Sequence, residues 1–275
     1  MRPIFLATLL ATGLAVTGPA RATEVDELVA ALQLPEVFEV LAAEGEAYGK
    51  EIDENMLDGA GGQSWATAVH RIYAPDRLLA EFTTALTAAL PQSGTGFAPV
   101  IEFFGSGLGR QATTLEISAR RALLDPDVED ASRLTLEEMR AGNDPRIALV
   151  KDFVEVNDLV ESNVSNGLNA NFAFYQGLRD SGAIGPEMSE DDVVAEVWSQ
   201  EQAIREETDI WVHAYLTMAY APLSDEEIKR YTDFTRRPDA QVMNRAMTEA
   251  YAEVFRDVSR QLGRAAGVVL AGQSL

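Results

Sequence analysis

The apolar residues of this chain recur every three or four positions almost from end to end, and no other feature restricts its fold so strongly. Met243, Met247, Ala250, Val254, Val258, Leu262 and Val269 form one stripe at steps of three, four or seven, the signature of one helix face. Pro238 suits the first turn of that helix. A second long helix is expected from Ser189 towards Ala221, with Ser189 and Asp192 as a capping pair and Val194, Val197, Trp198, Ile204, Trp211, Tyr215 and Ala219 on its inner face. Ser224 and Glu227 form a capping box that opens a short helix through Ile228, Tyr231 and Phe234. Asp125-Pro126 and Asp144-Pro145 each place an N-cap before a proline at the first helical position, which starts helices over 126–141 and 145–180. Val37, Val40, Leu41, Glu44, Tyr48 and Ile52 predict a helix over 35–57, Asp58 to Gly62 a break, and helices follow over 64–73 and 76–90. No run alternates β-branched residues, so the expected fold class is all-α, a helical bundle.

The first 22 residues read differently. Arg2 precedes an apolar run from Ile4 to Val16, Gly18 and Pro19 break it, and Ala20-Arg21-Ala22 puts small residues where a signal peptidase needs them. The run is too short to cross a bilayer, which takes about 20 residues. A signal peptide over 1–22 is expected, cut after Ala22, with a periplasmic or secreted destination. The absence of an Arg-Arg pair from the leader favours the general secretory route. The chain has no cysteine, which rules out disulfides and a lipid-anchored N-terminus. No later stretch is long and apolar enough to serve as a stable membrane anchor; Ala265 to Gly272 comes nearest.

The net charge is −22, and losing Arg2 and Arg21 with the leader makes it −24. Such a surface repels nucleic acid and anionic lipid, so neither is an expected partner.

Two parts of the sequence match each other at an offset of 131 residues. Pro91 pairs with Pro222, Ser93 with Ser224, Glu102-Phe103 with Asp233-Phe234, Gly109 with Ala240, and Ala119 with Ala250. Each copy reads as a helix, a stop, a short helix ending in an acid–Phe pair, a tight corner and a longer helix. A helical hairpin leaves an apolar face that a second copy can cover. The expected organisation is therefore two related halves, 23–142 and 143–275, in one continuous unit.

The corner Phe103-Phe104-Gly105-Ser106-Gly107-Leu108-Gly109 resembles the Phe-Tyr-x-Ser-Pro-x-Gly corner of exported bacterial proteins carrying domain of unknown function 2059. Phe234-Thr235-Arg236-Arg237-Pro238-Asp239-Ala240 is similar to the same corner, with Arg237 and Ala240 in place of Ser and Gly. Leu223 to Ile228 resembles the acidic helix start that precedes it. The resemblance covers 97–124 and 223–255. It implies an all-α exported protein and assigns no activity, cofactor or catalytic residue.

Few residues suggest chemistry. His70 and His213 are the only histidines, and no Gly-x-Ser-x-Gly elbow occurs. Ser106 reads as the N-cap of the helix that follows it, and His213, between Trp211 and Tyr215, as a packing residue. Gly105, Gly107 and Gly109 before Arg110 lack the preceding strand of a phosphate loop and read as an interhelical corner. Asp125, Asp127, Glu129 and Asp130 miss the EF-hand pattern, with Asp130 and Leu136 at positions six and twelve, and fit an acidic helix start. No metal and no cofactor is expected. Glu116 and Arg120 have the spacing of a surface ion pair.

Paired carboxylates for sugar chemistry, with Glu44 and Glu102 as candidates, give the alternative reading of a cell-envelope hydrolase. The segment from Asn157 to Gly177 spends Asn, Ser and Gly inside a helical pattern, against their propensity. Asn163, Asn166, Tyr175 and Gln176 are its candidate ligand-binding residues. The leading expectation is a non-enzymatic binder of a partner protein or small ligand between its halves. A chaperone-like surface is a third reading.

Overall fold

The computed structural model describes residues 18–91, 96–185 and 187–273, nearly all of them helical, with no strand among them. The helices form two series of six. The first holds α1 (Gly18–Ala31), α2 (Leu34–Asn55), α3 (Gly62–Ile72), α4 (Pro75–Ala89), α5 (Ala98–Gly105) and α6 (Gly107–Ala122). After α7 (Pro126–Ala141) come α8 (Arg146–Val156), α9 (Leu159–Asp180), α10 (Glu190–Ser199), α11 (Glu201–Ala219), α12 (Asp225–Thr235) and α13 (Pro238–Gln273). The apolar core of the expected leader, 4–16, lies outside the described residues. Its last five residues, Gly18 and Pro19 among them, lie in α1. No helix among the described residues is long and apolar enough to cross a membrane.

Local chemistry sets most of the boundaries. The Asp125 carboxylate accepts from Asp127 N–H at 3.0 Å. Ser189 with Asp192, and Ser224 with Glu227, form complete reciprocal capping boxes. Ser106 stands at the N-cap position of α6 but does not cap it: its hydroxyl turns back and donates to the Glu102 carbonyl.

Three expectations need correction. The helix expected over 145–180 is two helices, broken where Asp158 adopts φ 53°. It begins at Arg146, with Pro145 at the N-cap and the Asp144 carboxylate accepting from Arg146 N–H. The helix expected over 189–221 breaks at Gln200. Before that break Val193 and Val197 are buried, while Val194 and Trp198, assigned to the inner face, are exposed. An amphipathic pattern that runs through a break changes phase there.

The two series pack alike. α2 and α9 are each 22 residues long. Each follows a residue held at φ 53°, Gln33 and Asp158, at an offset of 125. α1 packs on α2, α4 and α5, and α8 packs on α9, α11 and α12. Contacts between the series are crossed: α4 lies on α13, and α11 lies on α6. Phe103 and Phe234, at the offset of 131, stack on each other with centroids 3.6 Å apart and planes 5° from parallel. A single contiguous core draws on both series, and α7 packs against α11 of the second.

The series differ at α9 and α13, which run together over a long contact. A Cβ at Gly177 would overlap the Arg260 carbonyl oxygen, and one at Gly263 would overlap that of Phe174. The absence of side chains there lets the two backbones meet.

Candidate functional site

A cavity of about 420 Å³ lies where the two series meet, walled by residues of α2, α5, α6, α8, α9, α11, α12 and α13 and of the turns after α1 and α8. Wider depressions of about 780 Å³ between α4 and α13, and about 730 Å³ beside α8, α9 and α11, open on the surface and each use fewer elements.

The lining positions come in pairs across the two series. At the offset of 131, Phe104 pairs with Thr235, Thr113 with Asn244, Glu116 with Met247, and Arg120 with Tyr251. At the offset of 125, Leu32 pairs with Asn157, Leu34 with Leu159, Val37 with Ser162, and Leu41 with Asn166. Equivalent positions surround the cavity, but their chemistry differs. α2 supplies aliphatic side chains where α9 supplies Ser162 and Asn166. α6 supplies Glu116 and Arg120 where α13 supplies Met247 and Tyr251.

Glu116 is the one acid among the described lining residues. Its Oε1 accepts from the Tyr220 hydroxyl at 2.7 Å and the Tyr231 hydroxyl at 3.2 Å. Burial raises its pKa to about 7 against the opposing pull of these two hydrogen bonds. Both tyrosines are buried, and their own pKa values lie well above the ordinary phenol value, first from burial and then from the Glu116 charge. Glu116 keeps a little accessible surface and lines the cavity.

Arg120, one turn along α6, does not pair with Glu116. Its Nε and Nη2 donate to the two carboxylate oxygens of Glu44 on α2, at 2.6 and 2.9 Å, and its guanidinium lies 5.7 Å over the Trp211 ring. Burial works against its charge, but the Glu44 carboxylate outweighs that and raises the pKa. The surface pair expected from the spacing of Glu116 and Arg120 is thus replaced by two separate, long-range contacts. Tyr215 and Tyr251 also line the cavity near Arg120. Among the described residues, neither hydroxyl has a hydrogen-bond partner, and the Asn166 amide has none.

The amides just after α8 and on α9 are partly committed. Asn157 is buried, and its Nδ2 donates to the Phe153 carbonyl and to the Thr235 hydroxyl oxygen. Asn244 Nδ2 donates to the Asn157 carbonyl at 3.1 Å. Asn163 Nδ2 donates to the Leu159 carbonyl.

The four candidate residues of the Asn-rich helix divide between two places. Asn163 and Asn166 line the cavity, while Tyr175 and Gln176 line a separate recess of about 160 Å³ with Arg179 and Asp180. Nine residues of helix separate Asn166 from Tyr175. That is about 13.5 Å along the axis and half a turn around it. Of the other candidates, Glu102 is exposed and Glu44 is tied to Arg120, and neither is among the cavity's lining residues. His213 is buried, its Nδ1 2.8 Å from the Asp209 carbonyl, and exposed His70 pairs with Glu46.

Sequence reasoning missed Glu116, Tyr220 and Tyr231 as a unit. Its members are 104 and 115 residues apart, so no local spacing joins them. The one signal was an acid between Leu115 and Ile117. Comparison with protein-family models, with curated proteins and with solved structures finds no match to the chain.

Proposed function

We propose that this chain is an exported, two-part helical protein that binds a small ligand in the cavity between its related series. The observation that carries the reading is the cavity itself. It has a ligand-sized volume of about 420 Å³, largely apolar walls and a few hydrogen-bonding groups left open, as small-molecule sites have. A partner protein, the other occupant expected from sequence, would need a long open groove, which a cavity of this size does not offer. The matched helix order, the paired lining positions and the Phe103–Phe234 stack support descent from a duplicated six-helix unit. Export behind a leader cut at Ala22, and kinship with the exported proteins of domain family 2059, belong to the same reading. N-terminal sequencing of periplasmic material should begin at Thr23.

The binding test uses N-phenyl-1-naphthylamine, whose fluorescence rises in apolar surroundings. The wild-type protein should bind it saturably at one site. Met247→Trp, which fills the cavity from α13, should abolish the signal while circular dichroism stays unchanged. Equal binding by the filled variant, or no binding by the wild type, would remove the cavity from consideration.

A further inference from the structure

The charged groups of the cavity restrict what it can hold. Arg120 presents a cation to the lining, already paired through two hydrogen bonds with Glu44 and already over the face of Trp211. Glu116 presents a carboxyl group whose Oε1 is held by Tyr220 and Tyr231, while its Oε2 has no hydrogen-bond partner among the described residues. The two are four residues apart on α6, about 6 Å along the axis. An anionic ligand brought here loses its hydration and meets Glu116, while Arg120, the one cation among the described lining residues, is engaged with Glu44. A cationic ligand loses its hydration and meets the like charge of Arg120, which already lies over the face of Trp211. An anion finds Arg120 already neutralised by Glu44, and a cation reaches the open Oε2 of Glu116 only beside the Arg120 charge one turn along α6; a buried charge left without compensation costs several kcal/mol, roughly.

Hydrogen-bonding capacity remains open where no charge is involved. The Tyr215 and Tyr251 hydroxyls and the Asn166 amide line the cavity, and among the described residues none of them has a hydrogen-bond partner. The asymmetry between the series adds a direction. Leu34, Val37 and Leu41 come from α2, whereas the positions equivalent to Val37 and Leu41 on α9 are Ser162 and Asn166. One wall is thus aliphatic, and the wall built by the corresponding helix is polar.

Resting on the reading of this cavity as a binding site, we infer that its ligand class is an uncharged amphipathic molecule. Such a ligand carries a ring or hydrocarbon skeleton with hydroxyl, carbonyl or amide groups. The skeleton lies against α2 and the aromatic rings. The polar edge meets Asn166 and the two tyrosine hydroxyls, which can each donate and accept.

The test displaces bound N-phenyl-1-naphthylamine from the full chain with three bicyclic competitors that differ in the charge of the head group: 2-naphthylmethanol, 2-naphthoate and 2-naphthylmethylammonium. The alcohol should displace the probe at about one tenth the concentration either ion needs, or less, the ratio that a desolvation difference of ~1.4 kcal/mol produces. Asn166→Leu should weaken the alcohol about five-fold relative to the probe, the value of one hydrogen bond, with both affinities measured in the variant. An ion that competes as well as the alcohol would overturn the ligand class while the cavity stands as a site. An alcohol unaffected by Asn166→Leu would overturn the assignment of the polar edge. A probe that never binds would overturn the site itself.

Discussion

Replacing Glu116 by glutamine keeps the shape of the side chain and an oxygen for Tyr220 and Tyr231, and removes the titration. The carboxyl group has a pKa of about 7 in the folded protein against 4.5 for the ordinary group. The folded state therefore holds the proton more tightly than the unfolded state does. Below pH 4.5 both states are protonated, and the stability linked to Glu116 is fully present. As pH rises towards 7 the unfolded chain ionises and the folded one does not, so that stability drains away. Above pH 7 both are ionised and the loss stops. The whole gap corresponds to about 3 kcal/mol, of which about 2.5 kcal/mol falls between pH 5 and pH 8. Urea unfolding of both proteins at these two pH values isolates the effect, because the other carboxylates titrate alike in each. The wild type should lose about 2.5 kcal/mol more than Glu116→Gln on going from pH 5 to pH 8. Parallel pH profiles for the two proteins would show that Glu116 is not held as a desolvated acid.

Other substitutions test the packing around the site. Gly263→Ala drives a methyl group into the Phe174 carbonyl and should cost about 2–3 kcal/mol, seen as a fall in melting temperature of about 5–10 °C. Arg120→Met strands the Glu44 carboxylate. With both side chains about a third exposed, the cost should be about 2 kcal/mol rather than that of a fully buried pair, and Arg120→Met with Glu44→Leu should recover most of it in chemical denaturation. A double-mutant cycle on Phe103→Leu and Phe234→Leu should give a coupling energy of about 1 kcal/mol; additive losses would mean that the stacked rings do not support each other.

Helix class, most helix starts and the tight corner before α6 were legible in the chain because each depends on residues within one or two turns of each other. The apolar stripe of α13, the reciprocal cap of Ser224 and Glu227, and the Asp125 cap are of this kind. The breaks at Asp158 and Gln200 were not legible, because the apolar spacing continues through both. Asp158 takes a left-handed conformation that any Asp can adopt and few do, and the packing of α8 and α9 onto the same core selects it here.

The cavity lies one level further from the amino-acid order. Glu116 and Arg120 satisfy the rule for a surface ion pair, a preference worth only a few tenths of a kcal/mol, roughly. Contacts 104 and 76 residues distant override it, turning one side chain to Tyr220 and the other to Glu44. In the same way, the amide-rich pattern of α9 marked a helix carrying an unusual cost without saying which of its faces would meet empty space. Periodicity reports which side of a helix is oily. The crossed packing of α4 on α13 and α11 on α6 sets which oily sides close on one another and where they fail to fill the volume between them, because burial energy depends on partners that come together only once the whole chain has folded.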